Sequence, residues 1–253
     1  MVSKYSSVPT LDIDFIMPGD VSFDTPGGGI DGGRNGMGDA ISINLSGGPL
    51  VTATVANCFI HEPEQFEYIG WLRARMNSGV RFINVPLLND WYGPFPIIGG
   101  VPTPIIKGIP HSDGSLFSDG SGYSQATVWG KVMEDAAQYA GILRMRVYNP
   151  SRTLRHNDWF SIYHEVKGWR AYSYWEVLDR YDDGIETVDG YDFPFQEYRL
   201  ALDVPLREAV TAGTRTELAR PMCVMKFPLG FTLPTNIKGF YESSPTLQFT
   251  EGK

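Results

Sequence analysis

Glycine and proline are spread so densely along this chain, 28 and 18 of them in 253 residues, that few stretches can run as long helices. Proline removes a backbone donor and fixes φ, and glycine raises the entropy cost of order, so both punctuate a chain into short segments. Aromatic residues make up 13% and suit pleated strands. Many short strands joined by turns are therefore expected. With 42% hydrophobic and 20% charged residues the chain can bury a core and is not of the disordered class.

The net charge of −8 disfavours a freely accessible polyanion as a partner, because such binding rests on Lys and Arg displacing counterions. The N-terminus, MVSKYSSVPT, has no apolar signal region, and no apolar run approaches bilayer length. No membrane partner is expected, and synthesis in a cytoplasm is. Cys58 and Cys223 lie in the apolar runs TVANCFI and PMCVMKF. They read as buried free thiols, with a disulfide joining the two ends of the chain as the sharper alternative.

One helix stands out. Pro63 suits a first helical position, Glu62, Glu64 and Glu67 favour its N-terminal end, and Arg73 and Arg75 its C-terminal end. Phe66, Ile69, Leu72 and Met76 share a face, and Asn77, Ser78 and Gly79 stop the helix before a strand at 80–88. Residues 18–38 read as a flexible glycine-rich loop or arm. A hairpin is expected next, with Ile41, Ile43 and Leu45 on one strand, a turn at 46–49, and Val51, Ala53 and Val55 on the other.

Residues 89–125 are crowded with Pro and Gly and carry Ile97, Ile98, Ile105 and Ile106. So long an irregular segment is rare inside a compact domain. It reads either as an arm lying on a neighbouring subunit or as a self-packed surface loop. From 141 strands return: Leu143, Met145 and Val147 alternate with Arg144 and Arg146. An aromatic hairpin carrying Trp159, Trp169, Tyr172, Tyr174 and Trp175 turns at Lys167 and Gly168. Alternation directs Trp159 and Trp169 inward. An acidic loop follows at 179–192. Further strands are expected around Leu200, Leu202 and Val204, then 216–218 and 223–227. No internal repeat is evident.

Signals for chemistry are weak. A GxGxxG at Gly27, Gly29 and Gly32 lacks the strand and helix that a dinucleotide site requires. GYSQA at 122–126 is a poor nucleophile elbow. HSDGSLFSDGSG at 111–122 lacks EF-hand spacing. No Cys/His cluster suggests zinc. His156 and His164, with Asp158 and Glu165 near them, can share a strand face, and Asp182 and Asp183 read as solvated charge. An enzyme is not expected, nor a cofactor or metal.

The runs LRHNDWFSI (154–162), GWRAY (168–172), EVL (176–178), LALDVPLREAV (200–210), AGT (212–214) and RPMCVMKF (220–227) together resemble a known family. They are similar to distal tail proteins of long-tailed, non-contractile bacteriophages. That family shows a "G/N-D-W/Y-F-S" strand, a "G-R-x-Y" strand, a "P-L-R…V…G-T" strand and a "P…M-x-F/L" strand. The helix and strand at 63–88 resemble its ring-forming half, related in fold to tail-tube subunits. About two thirds of the chain is covered; the Pro/Gly segment at 89–125 and an acidic insertion at 179–197 depart from the pattern.

The resemblance implies a mainly β fold: a tail-tube-like β-sandwich or barrel ring domain with one helix, at 1–140 and 220–253, and a small inserted β-barrel at 141–219. It implies a virion protein whose hexameric ring joins the tail tube to the tail-tip hub and fibre proteins, with DNA passing the channel unbound. Subunit contacts are then expected at Ile97, Ile98, Ile105 and Ile106. Arg73, Arg75, Arg81, Arg144 and Arg146 are expected to pair with carboxylates of neighbouring subunits or rings. Two alternatives are another tail subunit, such as a tube protein, and a carbohydrate-binding module using the aromatic hairpin.

Overall fold

The computed structural model describes residues 8–252 apart from 28, 45–47, 77–78, 89–91 and 234–242; the side chains of 29–30 and 42–44 are also outside the described set. The fold is mainly β, with one helix among the described residues. Two compact units divide it. The first comprises residues 1–87, 164–170 and 222–253, and the second 88–163 and 171–221.

The first unit opens with β1 (Asp20–Asp24), β2 (Gly29–Arg34), β3 (Ala40–Asn44) and β4 (Thr52–Ala56), then α1 (Pro63–Met76) and β5 (Ile83–Pro86). The second carries β6 (Ile97–Ile98), β7 (Val101–Pro102), β8 (Ile105–Ile109), β9 (Tyr123–Ala126), β10 (Trp129–Val132) and β11 (Ile142–Tyr148). Next come β12 (Phe160–His164) and β13 (Gly168–Tyr172), whose connecting turn is counted with the first unit. Then follow β14 (Tyr174–Arg180), β15 (Gly184–Val188), β16 (Tyr191–Leu202) and β17 (Arg215–Glu217). The chain ends with β18 (Met222–Lys226) and β19 (Leu247–Glu251), which return to the first unit.

The first unit is built on an antiparallel sheet ordered β1-β4-β19-β18-β5. Val51, Ala53 and Val55 alternate inward as the sequence suggests, but their partners differ from the expected hairpin. β4 pairs with β1 and β19, and β3 pairs with β2. The stretch 18–38 is accordingly not one flexible loop: it holds β1 and β2. Leu45 of the expected strand and residues 46–47 of the expected turn lie outside the described residues.

Helix α1 forms where its signals fall. Ile69, Leu72 and Met76 are buried, yet Gln65, not Phe66, fills the fourth inward position. Gln65 Oε1 accepts the N–H groups of His61 (2.9 Å) and Glu62 (3.1 Å), and its Nε2 donates to the Phe15 carbonyl at 2.7 Å. The side chain thus satisfies orphan donors at the helix start, and burial costs it nothing in lost hydrogen bonds. After the helix Gly79 adopts φ +90°, where a Cβ would sit 2.3 Å from the Phe227 carbonyl oxygen.

The second unit is an eight-stranded sheet ordered β13-β12-β17-β10-β11-β16-β14, with β15 paired to β16. Its core face carries Val132, Leu143, Met145, Val147, Phe160, Ile162 and Leu200, all fully buried. The boundary falls after Leu87, so residues 88–140 join this unit, whereas the sequence reading placed them in the first. The physical reason is register: β10 is hydrogen-bonded to both β11 and β17 and cannot be separated from their sheet. The supposed acidic loop at 179–192 is also largely strand, apart from 181–183 and a turn. Gly184–Val188 pairs with Tyr191–Phe195 around a turn at Asp189 and Gly190.

Cys58 and Cys223 are free and buried. Burial pushes the Cys58 thiol up to about 11.

Candidate functional site

The arm segment is more regular than its composition suggests. β6 and β7 form a minimal hairpin around Gly99 and Gly100, both at positive φ, which a two-residue primed turn requires. β8 and β9 form a longer one. Their common base is fixed. Thr127 is buried, and its hydroxyl donates to the carbonyls of Thr103 (2.7 Å) and Pro104 (2.9 Å). Asn149 Nδ2 donates to the Thr127 carbonyl at 3.0 Å, and Phe95 is buried. Beyond this base the apolar side chains face solvent. Ile97 is 70% exposed, Ile98, Val101 and Ile106 are also exposed, and Ile105 is half-buried.

The connection between β8 and β9 holds a short tandem repeat that sequence reading missed: HSDGSL followed by FSDGSG. Both halves fold alike. His111 N–H bonds to the Ser115 carbonyl, and Phe117 N–H to that of Ser121, each at 2.8 Å. Asp113 accepts the backbone and hydroxyl of Ser115, and Asp119 those of Ser121. These bonds, with the carboxylates otherwise in solvent, hold both below the usual Asp range. The six-residue period brings His111, Phe117 and Tyr123 together, with ring centroids 4.9–5.0 Å apart and edge-to-face. Asp-Gly turns and edge-on rings account for the segment without a cation.

A second apolar surface lies at the edge of the large sheet. β14 ends the strand order, and every residue from Trp175 to Arg180 is exposed. Trp175 (61% exposed), Val177 and Leu178 lie along it, and Ile185 (72%) and Tyr191 (71%) extend the apolar area onto β15 and β16. An edge strand with apolar side chains on both faces is an open template for another chain.

Two of the arginines expected at subunit contacts are engaged within the chain instead. Arg144 and Arg146 of β11 flank the buried Glu197 of β16. Arg144 Nε donates to Oε1 at 2.7 Å, and Arg146 Nε and Nη2 donate to Oε2 at 2.9 and 2.6 Å. Arg146 also pairs with Glu186, as do Lys131 (3.1 Å) and the Tyr148 hydroxyl. Hydrogen bonds from Tyr148, Arg146 and Lys131 hold the Glu186 carboxyl down at about 2. The guanidiniums lie over Tyr181 and Phe195. Cross-strand register explains this: Arg146 is directly opposite Glu197. Arg73 and Arg81 are exposed and Arg75 half-buried.

The other candidate residues disperse. His164 is buried in the first unit, next to the Arg170–Glu251 ion pair (3.1 Å), whereas His156 is exposed in the second. Burial, and then the Arg170 charge, push His164 down to about 4. Trp159 and Trp169 are half-buried, not buried, while Tyr172 and Tyr174 fill the interior positions. Gly29 and Gly32 lie in β2 and Tyr123–Ala126 is a strand, so neither motif has the local shape its chemistry needs. Asp182 and Asp183 are exposed, and Asp183 pairs with Arg180 at 2.9 Å. No group of three metal-ligating side chains occurs among the described residues, and no helix among them is long and apolar enough to cross a membrane. No protein-family model and no curated protein matches the chain.

Proposed function

We propose that this chain is a structural, self-associating virion subunit: a distal tail protein whose ring joins a tail tube to the tail-tip hub and fibre proteins. The sequence resemblance supplies the family. The observation that carries self-association is the pair of exposed apolar surfaces on the second unit, the Ile97–Ile106 hairpins and the β14 edge. Their positions on one subunit differ, so contact between them is heterologous and propagates from copy to copy. A closing rotation makes a ring, six-fold by the resemblance. The arm hairpins suit this role because their base is rigidly hydrogen-bonded while their apolar tips have no cover.

With Arg144 and Arg146 paired within the chain, the expected charged contact falls on the exposed Arg81. Contacts made mainly by apolar hairpins respond weakly to salt, since screening acts on exposed charges. The test is sedimentation velocity across a concentration series for the wild type and Ile97→Asp/Val101→Asp. The wild type assembles, and the variant stays monomeric with an unchanged circular dichroism spectrum. A wild type that remains monomeric at every concentration refutes the proposal.

A further inference from the structure

The loop between β11 and β12, residues 149–159, is wound around an internal ion pair. Arg152 Nη1 and Nη2 donate to the two oxygens of Asp158, at 2.6 and 2.7 Å, and the Asp158 carboxylate is almost wholly buried. The same guanidinium donates to the Thr153 carbonyl at 2.7 Å and to that of Tyr92, and Asp158 also accepts the Arg155 N–H at 2.7 Å. These bonds fix the backbone from 152 to 158. They also exhaust Arg152 and Asp158 on each other, so neither is left to bind a neighbour.

What the loop presents outward is different. Tyr92, Arg152, Arg155, His156, Asn157 and Asp158 line an open cavity of about 320 Å3. Arg155, His156 and Asn157 are exposed, and among the described residues no carboxylate lies within ion-pair distance of Arg155. With Arg152 and Asp158 cancelling, the cavity keeps one formal positive charge in a chain whose net charge is −8. The His156 ring lies against that of Tyr174, 5.7 Å between centroids, and the buried Tyr174 hydroxyl has no hydrogen-bond partner among the described residues. One guanidinium fork, one imidazole and one carboxamide on a rigid frame beside a tyrosine ring match a small ligand with one oxyanion and neighbouring hydroxyls.

We propose that this cavity binds an anionic polyol of about monosaccharide size, a sugar acid or a polyol phosphate, with Arg155 holding an anionic oxygen and His156 and Asn157 the hydroxyls. A free metabolite and the repeating unit of a surface polymer share that chemistry.

Isothermal titration of the full chain with glucuronate and with glycerol 3-phosphate is the test, with glucose and glycerol as neutral controls. A polyglycerol phosphate separates the two sources: a site built for a polymer binds its repeating diester unit at least as tightly as glycerol 3-phosphate, and a site built for a free metabolite does not. Binding of at least one anionic probe is expected. Arg155→Ser should weaken it about tenfold, the value of one charge-assisted contact, while Arg155→Lys keeps most of it. His156→Gln, also at an exposed position, should give a smaller loss. The proposal falls if neither anion binds, if the neutral controls bind equally well, or if Arg155→Ser binds like the wild type while circular dichroism shows both folded.

Discussion

Acid should weaken this fold in a window set by one buried imidazole. His164 is 3% exposed, beside a guanidinium that is itself buried and paired with Glu251. Burial first and Arg170 second hold it near 4, against about 6.5 in an unfolded chain. The depressed value fixes the sign. Between those limits the unfolded chain binds a proton that the folded chain refuses, so stability rises with pH across the window and falls as acid is added. Integrating the single-site linkage from pH 7 to pH 5 gives a loss of about 2 kcal/mol, with a slope approaching about 1.4 kcal/mol per pH unit. Urea unfolding followed by circular dichroism at half-unit steps measures it. His164→Gln removes the titrating group, so its curve should be flatter over this window by that amount, whatever its offset at pH 7. A second readout is the His164 ring proton resonance, which should not move above pH 5. Parallel curves for the two proteins, or a ring titrating near 6.5, would refute the reasoning.

Three further outcomes follow from the packing. Glu197→Gln leaves two guanidiniums facing a neutral amide; because Arg146 keeps Glu186, the cost should be about 2–4 kcal/mol by urea unfolding, below the upper range for a broken buried pair. Gly79→Ala meets both a positive φ and the Phe227 carbonyl, so it should cost about 2 kcal/mol or more, with a lowered melting temperature and unchanged strand content. Cys58 and Cys223 should resist a thiol reagent at pH 8 in the folded protein and react promptly in urea, two thiols per chain.

How far the sequence disclosed this fold depends on the range of the signal. Helix α1 was legible because its caps, charges and apolar spacing are all local. Even there the buried Gln65 was invisible, since its worth lies in the Phe15 carbonyl fifty positions earlier in the chain. Strand β11 was legible because apolar residues alternate along it, and β18 because it is a short continuous apolar run. β15 was not: its half-buried positions are Gly184, Glu186 and Val188, which carry no apolar alternation, so it read as an acidic loop. Partner choice was also hidden. β4 alternates as expected, but nothing local says that it pairs with β19 at the other end of the chain. The same holds for Arg144 and Arg146, whose carboxylate partner lies fifty-one positions from Arg146. The anion cavity escaped notice because Arg152 and Asp158 look like surface charge until their burial is known. The HSDGSL/FSDGSG repeat was legible, but it was read only against a calcium-loop template.

Self-association is the central claim, and imaging reads it most directly. Negative-stain electron microscopy of the purified full chain, deposited from a concentration at which sedimentation reports assembly, should show closed rings of uniform diameter with six-fold class averages. Fields of single particles of about 28 kDa, or open filaments without closed rings, would contradict the account.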